Sequence, residues 1–207
     1  MKIALVCALS LALGVSSPGL MAAAPLTDTA PSATSAGHEF SRPEQMLHAT
    51  IYQLEQFVAL GGSGDELAVI NFLNRTVAPM FDFEGLSRWA AGPIHRELSA
   101  QQKLRLSGRI QSMFMGALAR NLGSYTRPMP RIQLIPARSQ YENQSHVRAR
   151  VVRNKSSRPI FLDFRFYKSD DAWKIFDVAA NNNSAATYYR AFIRREWRRD
   201  SLNSLLQ

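Results

Sequence analysis

The chain has 207 residues, a formal net charge of +9 and one cysteine, Cys7. A lone cysteine excludes both a disulfide framework and a thiolate zinc site, so the fold must rest on its apolar core. The positive balance favours anionic partners, either phospholipid headgroups or acidic proteins.

Met1 and Lys2 precede an apolar run from Ile3 to Val15, a Ser/Pro/Gly break at 16–19, and Met21-Ala22-Ala23-Ala24 before Pro25. This is the layout of a secretory signal peptide with cleavage after Ala24, its apolar run being too short to span a bilayer. Val6 stands where a lipoprotein signal needs a small residue before Cys7. Loss of the leader removes Lys2 and no acid, leaving +8 on the 183 residues that follow, a length suited to one domain. An exported address makes nucleic acid an unlikely partner class. Residues 25–40 are rich in Ala, Ser, Thr and Pro without apolar period and read as a flexible lead-in, so the expected domain is 41–207.

Ser41 suits the cap of a first helix, on which Met46, Leu47, Ile51, Leu54, Phe57 and Val58 recur at helical spacing until Gly61-Gly62. A second helix is expected from Asp65, with Leu67, Ile70, Leu73 and Val77 on one face and Pro79 at its end. Asp82 suits the N-cap of a short helix closed by Gly92-Pro93. Ser99-Ala100-Gln101-Gln102 has the form of a capping box and opens the longest helix, whose stripe is Leu106, Ile110, Met113, Phe114, Ala117 and Leu118.

After Gly123 the apolar period changes from that of a helix to that of a strand. Residues 131–137 form a first strand candidate, 147–151 alternate cleanly, 154–157 are a turn, and Ile160, Leu162, Phe164 and Phe166 share one face. A turn at 169–171 leads to a strand from Trp173 to Val178, and a last helix with five arginines runs from Ser184 to Leu206. Such short links require antiparallel neighbours. The expected fold class is α+β: helices packed on one face of a curved antiparallel sheet of about four strands, with room for an apolar ligand between the layers.

Residues for covalent chemistry are sparse. His38, His48, His95 and His146 stand far apart with no metal-ligand spacing, and Gly61-Gly62-Ser63-Gly64 lacks the Lys-Ser/Thr of a phosphate loop. Asp82 with Glu84, or Asp163 with Asp177, are the available carboxylate pairs. Asp82 is better read as a cap, and Asp163 as a sheet-face partner for Arg165. The sequence predicts no catalytic residue, no metal and no enzyme.

The stretch from Val77 to Arg88, V-A-P-M-F-D-F-E-G-L-S-R, together with Trp173-Lys174-Ile175-Phe176-Asp177-Val178, then Ser184 and Tyr189-Arg190, resembles the MlaC or toluene-tolerance auxiliary family. The likeness covers nearly all of 41–207. It departs from the family pattern around Ser184, where Asn181-Asn182-Asn183 and Ala185-Ala186 replace a glycine and an aliphatic pair. The resemblance implies a single domain of NTF2-like outline and a periplasmic carrier that holds phospholipid as ligand with no other cofactor. Its implied partners are an inner-membrane MCE-domain ABC transporter and an outer-membrane lipoprotein complex; the positive net charge, read from composition, adds transient contact with an anionic membrane surface. The implied role is maintenance of outer-membrane lipid asymmetry. A hopanoid-associated branch and a ligand-free basic interaction module are the alternatives.

Two acyl tails carry roughly 30 methylenes, whose exposure would cost on the order of 24 kcal/mol, so a carrier must shield nearly all of both. On this reading Phe81, Phe83, Leu86 and Trp89 form one wall, Met113, Phe114 and Leu118 a second, and Leu162, Phe164, Phe166 and Val178 a third, with Tyr188 of the last helix beside them. Arg148, Arg150, Arg153, Arg194, Arg195, Arg198 and Arg199 are expected either as a solvated basic face or as a surface docking anionic lipid or an acidic transporter.

Overall fold

The computed structural model describes residues 42–123, 130–136, 141–153, 158–170 and 172–200. The expected leader and lead-in, the Ser41 cap, the turn at 154–157 and the end of the last helix lie outside the described residues.

Helix α1 (Arg42–Ala59) ends at Gly61, whose φ of +86° only glycine adopts freely. The chain returns through a 3-10 turn (Gly62–Gly64), and Phe57 stacks on Phe72 at 4.5 Å. Asp65 caps α2 (Glu66–Phe72), accepting from the amides of Leu67 and Ala68 at 2.9 and 3.3 Å.

The expected second helix does not run evenly to Val77. It widens into a π turn (Leu73–Val77) and tightens into a 3-10 turn (Ala78–Met80). Phe81 is extended and pairs parallel with Ile175, the Asp82 amide donates to the Ile175 carbonyl at 2.9 Å, and Lys174 Nζ donates to the Pro79 carbonyl at 2.6 Å. This short segment fastens the helical layer to the sheet.

Asp82 then caps α3 (Phe83–Ala91) through the Gly85 amide, and Gly92, at φ +57°, ends it. A four-residue helix, α4 (Ile94–Glu97), was not legible in the sequence. The capping box forms as expected at the start of α5 (Ala100–Gly123): the Ser99 amide donates to Gln102 Oε1 at 2.7 Å and the Gln102 amide to Ser99 Oγ at 3.3 Å.

The sheet is an antiparallel meander of β1 (Arg131–Pro136), β2 (Gln144–Val152), β3 (Ile160–Ser169), β4 (Ala172–Ala180) and β5 (Asn183–Ser184). The two-residue β5 adds a fifth strand to the four expected and is too short to show a period. Asn181 and Asn182 reach it at φ +47° and +70°, which asparagine tolerates better than most residues. Between Arg165 and Phe166 the register slips, because Phe176 is an extra residue on β4. Helix α6 (Ala185–Asp200) closes the fold.

Two apolar clusters hold the layers together. One joins α2, α3, α5 and α6 around Leu73, Leu86, Ile110, Phe114 and Ile193; the other joins α1 to the sheet through Leu47, Met80, Val147, Phe166 and Ile175. Phe81 and Phe164, both only half-buried, belong to the edge of each.

Candidate functional site

A cavity of about 240 Å³ lies where the two clusters fail to merge. Leu47, Thr50, Ile51 and Leu54 of α1 form one wall; Leu73, Val77, Met80 and Phe81 the next; Phe114, Leu118, Asn121 and Leu122 of α5 the third. The floor is the sheet: Pro130, Ile132, Ala149, Val151, Leu162, Phe164, Ile175, Val178 and Ala180. The floor is low for a sequence-level reason. Leu162 is paired with Ala149 on one side and Ala180 on the other, so two methyls stand where larger side chains would fill the space.

Only Thr50 and Asn121 bring polar side chains to this lining, and both are turned inward on their own helices. Thr50 Oγ donates to the Met46 carbonyl at 2.8 Å, with Met80 Sδ 3.1 Å away, and Asn121 Nδ2 donates to the Ala117 carbonyl at 2.7 Å. The surface left to a ligand is hydrocarbon, aromatic and thioether, which shields apolar chains and offers no group for bond chemistry.

Six residues expected to hold lipid line the cavity: Phe81, Phe114, Leu118, Leu162, Phe164 and Val178. The other six stand elsewhere. Phe83 lies behind the wall, stacked on Phe81 at 5.4 Å and edge-on to Phe114 at 5.8 Å. Leu86 is in the helical core and Met113 packs against it. Phe166, 0 % exposed, fills the second cluster. Tyr188 packs on the helical core beside Tyr189, at 5.2 Å. Trp89 is 47 % exposed, with the Arg190 guanidinium 4.6 Å above its ring. Helical spacing marks the apolar stripe of α3 and cannot tell which flank of it meets the cavity.

The α1 wall was missed as a site. Its stripe was visible in Leu47, Ile51 and Leu54, and the signal for a gap facing it was Ala149 and Ala180, the small residues on either side of Leu162.

A second, wider groove, of about 620 Å³ and open to solvent, lies on the other side of Phe81 among Asn74, Asp82, Glu84, Ser107, Gln111, Tyr167, Asp170 and Lys174. Its central polar groups are already engaged. Asp82 accepts from the Gly85 amide at 2.8 Å and from Tyr167 Oη at 2.6 Å, while Lys174 is held by Pro79.

The two carboxylates on the sheet's other face are likewise committed. Asp163, 4 % exposed, takes His146 Nε2 at 2.9 Å and Arg148 through Nε at 2.6 Å and Nη2 at 3.2 Å. Burial pushes its carboxyl up, but the hydrogen bonds and charges of Arg148 and His146 outweigh this and hold it below the ordinary range. Arg165, expected beside Asp163, pairs instead with Asp177 at 2.9 Å. Residues directly opposite across strands approach more closely than i, i+2 neighbours, and the register opposes Arg148 to Asp163 and Arg165 to Asp177. Asp177, 3 % exposed, also accepts from Ser184 Oγ at 2.8 Å and the Ala186 amide at 3.0 Å, so it and Ser184 together cap α6.

Among the described residues no group of three or more His, Cys, Asp or Glu could hold a metal ion, and no helix is long and apolar enough to cross a membrane.

The profile of a protein family described as MlaC protein matches residues 58–207. The match begins at the end of α1, so all four residues of the α1 wall precede it. Among solved structures the chain is similar to a phospholipid-binding protein from Ralstonia solanacearum, determined in complex with a phospholipid. The TM-score is 0.67 at 18 % identity, covering 80 % of this chain and 90 % of that one. The likeness shows a common fold. No curated protein matches the chain at a significant level.

Proposed function

The chain belongs to the MlaC family, and from that premise we propose that it is a lipid carrier that encloses acyl tails in the cavity between its two apolar clusters. The observation that carries this reading is the cavity itself: an apolar gap lying between two buried hydrophobic clusters. The similar Ralstonia protein, with its bound phospholipid, supports phospholipid as the ligand class. Among the described residues the lining holds no ionisable side chain, and its one hydroxyl, Thr50, is engaged by the Met46 carbonyl and Met80 Sδ, so the proposed action is binding and release without covalent chemistry.

At about 240 Å³ the cavity lies just under the range of roughly 300–1,000 Å³ usual for pockets that bury a drug-sized ligand. Two tails therefore require a wall to move outward. Helix α1 is the candidate wall, since Ile51 and Leu54 are half-buried and the helix is joined to the rest through Gly61–Gly64.

The signal-peptide layout read in residues 1–24 supports a periplasmic site of action. The carrier would exchange lipid between an outer-membrane lipoprotein complex and an inner-membrane MCE-domain ABC transporter, and so help maintain outer-membrane lipid asymmetry. The test is mass spectrometry of lipid extracted from the protein purified from a native periplasm, against a mock purification. Enriched diacyl phospholipid is the expected result. Enriched hopanoid would reassign the ligand to a polycyclic lipid, and no enrichment would overturn the carrier reading.

A further inference from the structure

We propose that the outer surface of α6, together with Trp89 of α3, is a docking face for a bilayer containing anionic phospholipid. The inference stands apart from the cavity, neither of whose two neighbouring hollows is lined by any residue of α6.

Arg190, Arg194 and Arg198 recur every four residues along α6 and so form one row, with about 6 Å of rise between successive members. Arg198 Nε donates to the Arg194 carbonyl at 3.2 Å, which places the two side chains along the same ridge. Arg190 lies over Trp89, and beside this row Arg109 of α5 and Arg195 lie over Phe192 at 5.8 and 5.6 Å. Arg195 has Glu196 at 3.0 Å. Among the described residues none of Arg190, Arg194 or Arg198 pairs with a carboxylate. The expected basic face is thereby divided: Arg148 is spent on Asp163 within the sheet and Arg150 stands on the same strand, whereas Arg194, Arg198 and Arg199 lie together on α6.

Two features favour a bilayer over an acidic protein. Protein partners bind chiefly through anchors seated in pockets, and neither of the two hollows described above is lined by a residue of this surface. Its one large apolar feature, Trp89, combines an apolar ring with an indole N–H, the combination suited to headgroup depth. Arg190, stacked on Trp89, keeps its N–H fork free for phosphate, and the row it forms with Arg194 and Arg198 draws the protein to a negative leaflet.

Co-sedimentation with phosphatidylcholine vesicles, with and without added phosphatidylglycerol, tests this. The protein should pellet with the anionic vesicles, not with the neutral ones, and less at high salt. The double change Arg194→Gln/Arg198→Gln touches two exposed side chains without carboxylate partners and should weaken anionic-vesicle binding by about 30-fold. Arg194→Lys/Arg198→Lys should retain most of it, and Trp89→Ala should weaken it a few-fold. Phospholipid co-purified per protein should be the same in every variant, which separates this face from the carrier reading. Equal pelleting with neutral vesicles, or a glutamine double that pellets like the wild type, would overturn the proposal. The second result, with binding retained to an acidic protein partner, would assign the row to that partner class.

Discussion

Tyr167 Oη donates a 2.6 Å hydrogen bond to Asp82 Oδ2, joining β3 to the cap of α3 across 85 residues of sequence. Asp82 also receives the Gly85 amide, so one carboxylate starts a helix and ties it to the sheet. Removing the phenol oxygen by Tyr167→Phe should cost about 1–2 kcal/mol, a charged-acceptor hydrogen bond discounted for partial exposure. Burial, then the bond to Asp82, raises the Tyr167 hydroxyl to about 12. A raised phenol stabilises the folded state below its unfolded value of 10.0 and loses that contribution as pH rises through the folded one. Thermal unfolding of both forms from neutral pH to pH 12 checks this: the gap between them should close across that window. A constant gap would mean that the bond is not what ties these elements together.

Gly85→Ala should destabilise the protein although it stands inside a helix. Alanine is favoured there by about 1 kcal/mol. A Cβ at this position, however, would fall 2.0 Å from Asp82 Oδ2, the atom that receives Tyr167. Asp82 must rotate away, and the cap and the bond to β3 together are worth about 2–3 kcal/mol, so the net loss should be about 1–2 kcal/mol. Chemical denaturation reads it directly. In a Tyr167→Phe background the penalty should shrink, since part of the loss has already been taken.

Asp163 should set part of the acid limit. Its carboxyl is held below the ordinary 3.8, so its contribution is present above that pH and is lost as pH falls through the lower folded value. Asp163→Asn should cost about 2 kcal/mol at neutral pH, because Arg148 and His146 lose a charged acceptor but stay partly solvated. Below pH 3.8 the wild type and the variant should converge. Urea midpoints over an acid series measure both.

Local chemistry made most of the fold legible. Asp65, Asp82 and the Ser99–Gln102 pair announce three helix starts because each satisfies amides within three residues of itself, and Gly61 and Gly92 announce two stops. The π turn at Leu73–Val77 left no trace, because its apolar residues fit an ordinary helix and its cause is tertiary: Phe81 must reach Ile175. The bulge at Phe176 was hidden for the same reason, since register belongs to a strand pair. In the site, period two fixed which residues of β3 face inward but not how far the cavity extends along them. Leu162 and Phe164 therefore line it, while Phe166, on the same face, is plain core. Trp89 shows the other limit, for an aromatic beside an apolar stripe is as compatible with the outer flank as with the inner.

The contrast between a lining position on α5 and a core position on β3 gives the sharpest test of the cavity. Leu118 lies beside empty space and Phe166 beside none, so enlarging each to tryptophan should have opposite results. Leu118→Trp should keep the protein within about 1 kcal/mol of wild-type stability and lower the amount of co-purified lipid, because the added ring occupies ligand volume. Phe166→Trp overfills a packed site and should cost about 1–3 kcal/mol whether or not lipid is present. Ala149→Phe fills the same gap from the sheet side, next to Leu162, and should resemble Leu118→Trp. Thermal unfolding and quantified lipid extraction on all three variants separate the cases. Loss of stability in Leu118→Trp and Ala149→Phe matching that of Phe166→Trp would show that the two apolar clusters behave as one closed core, with no room between them for a ligand.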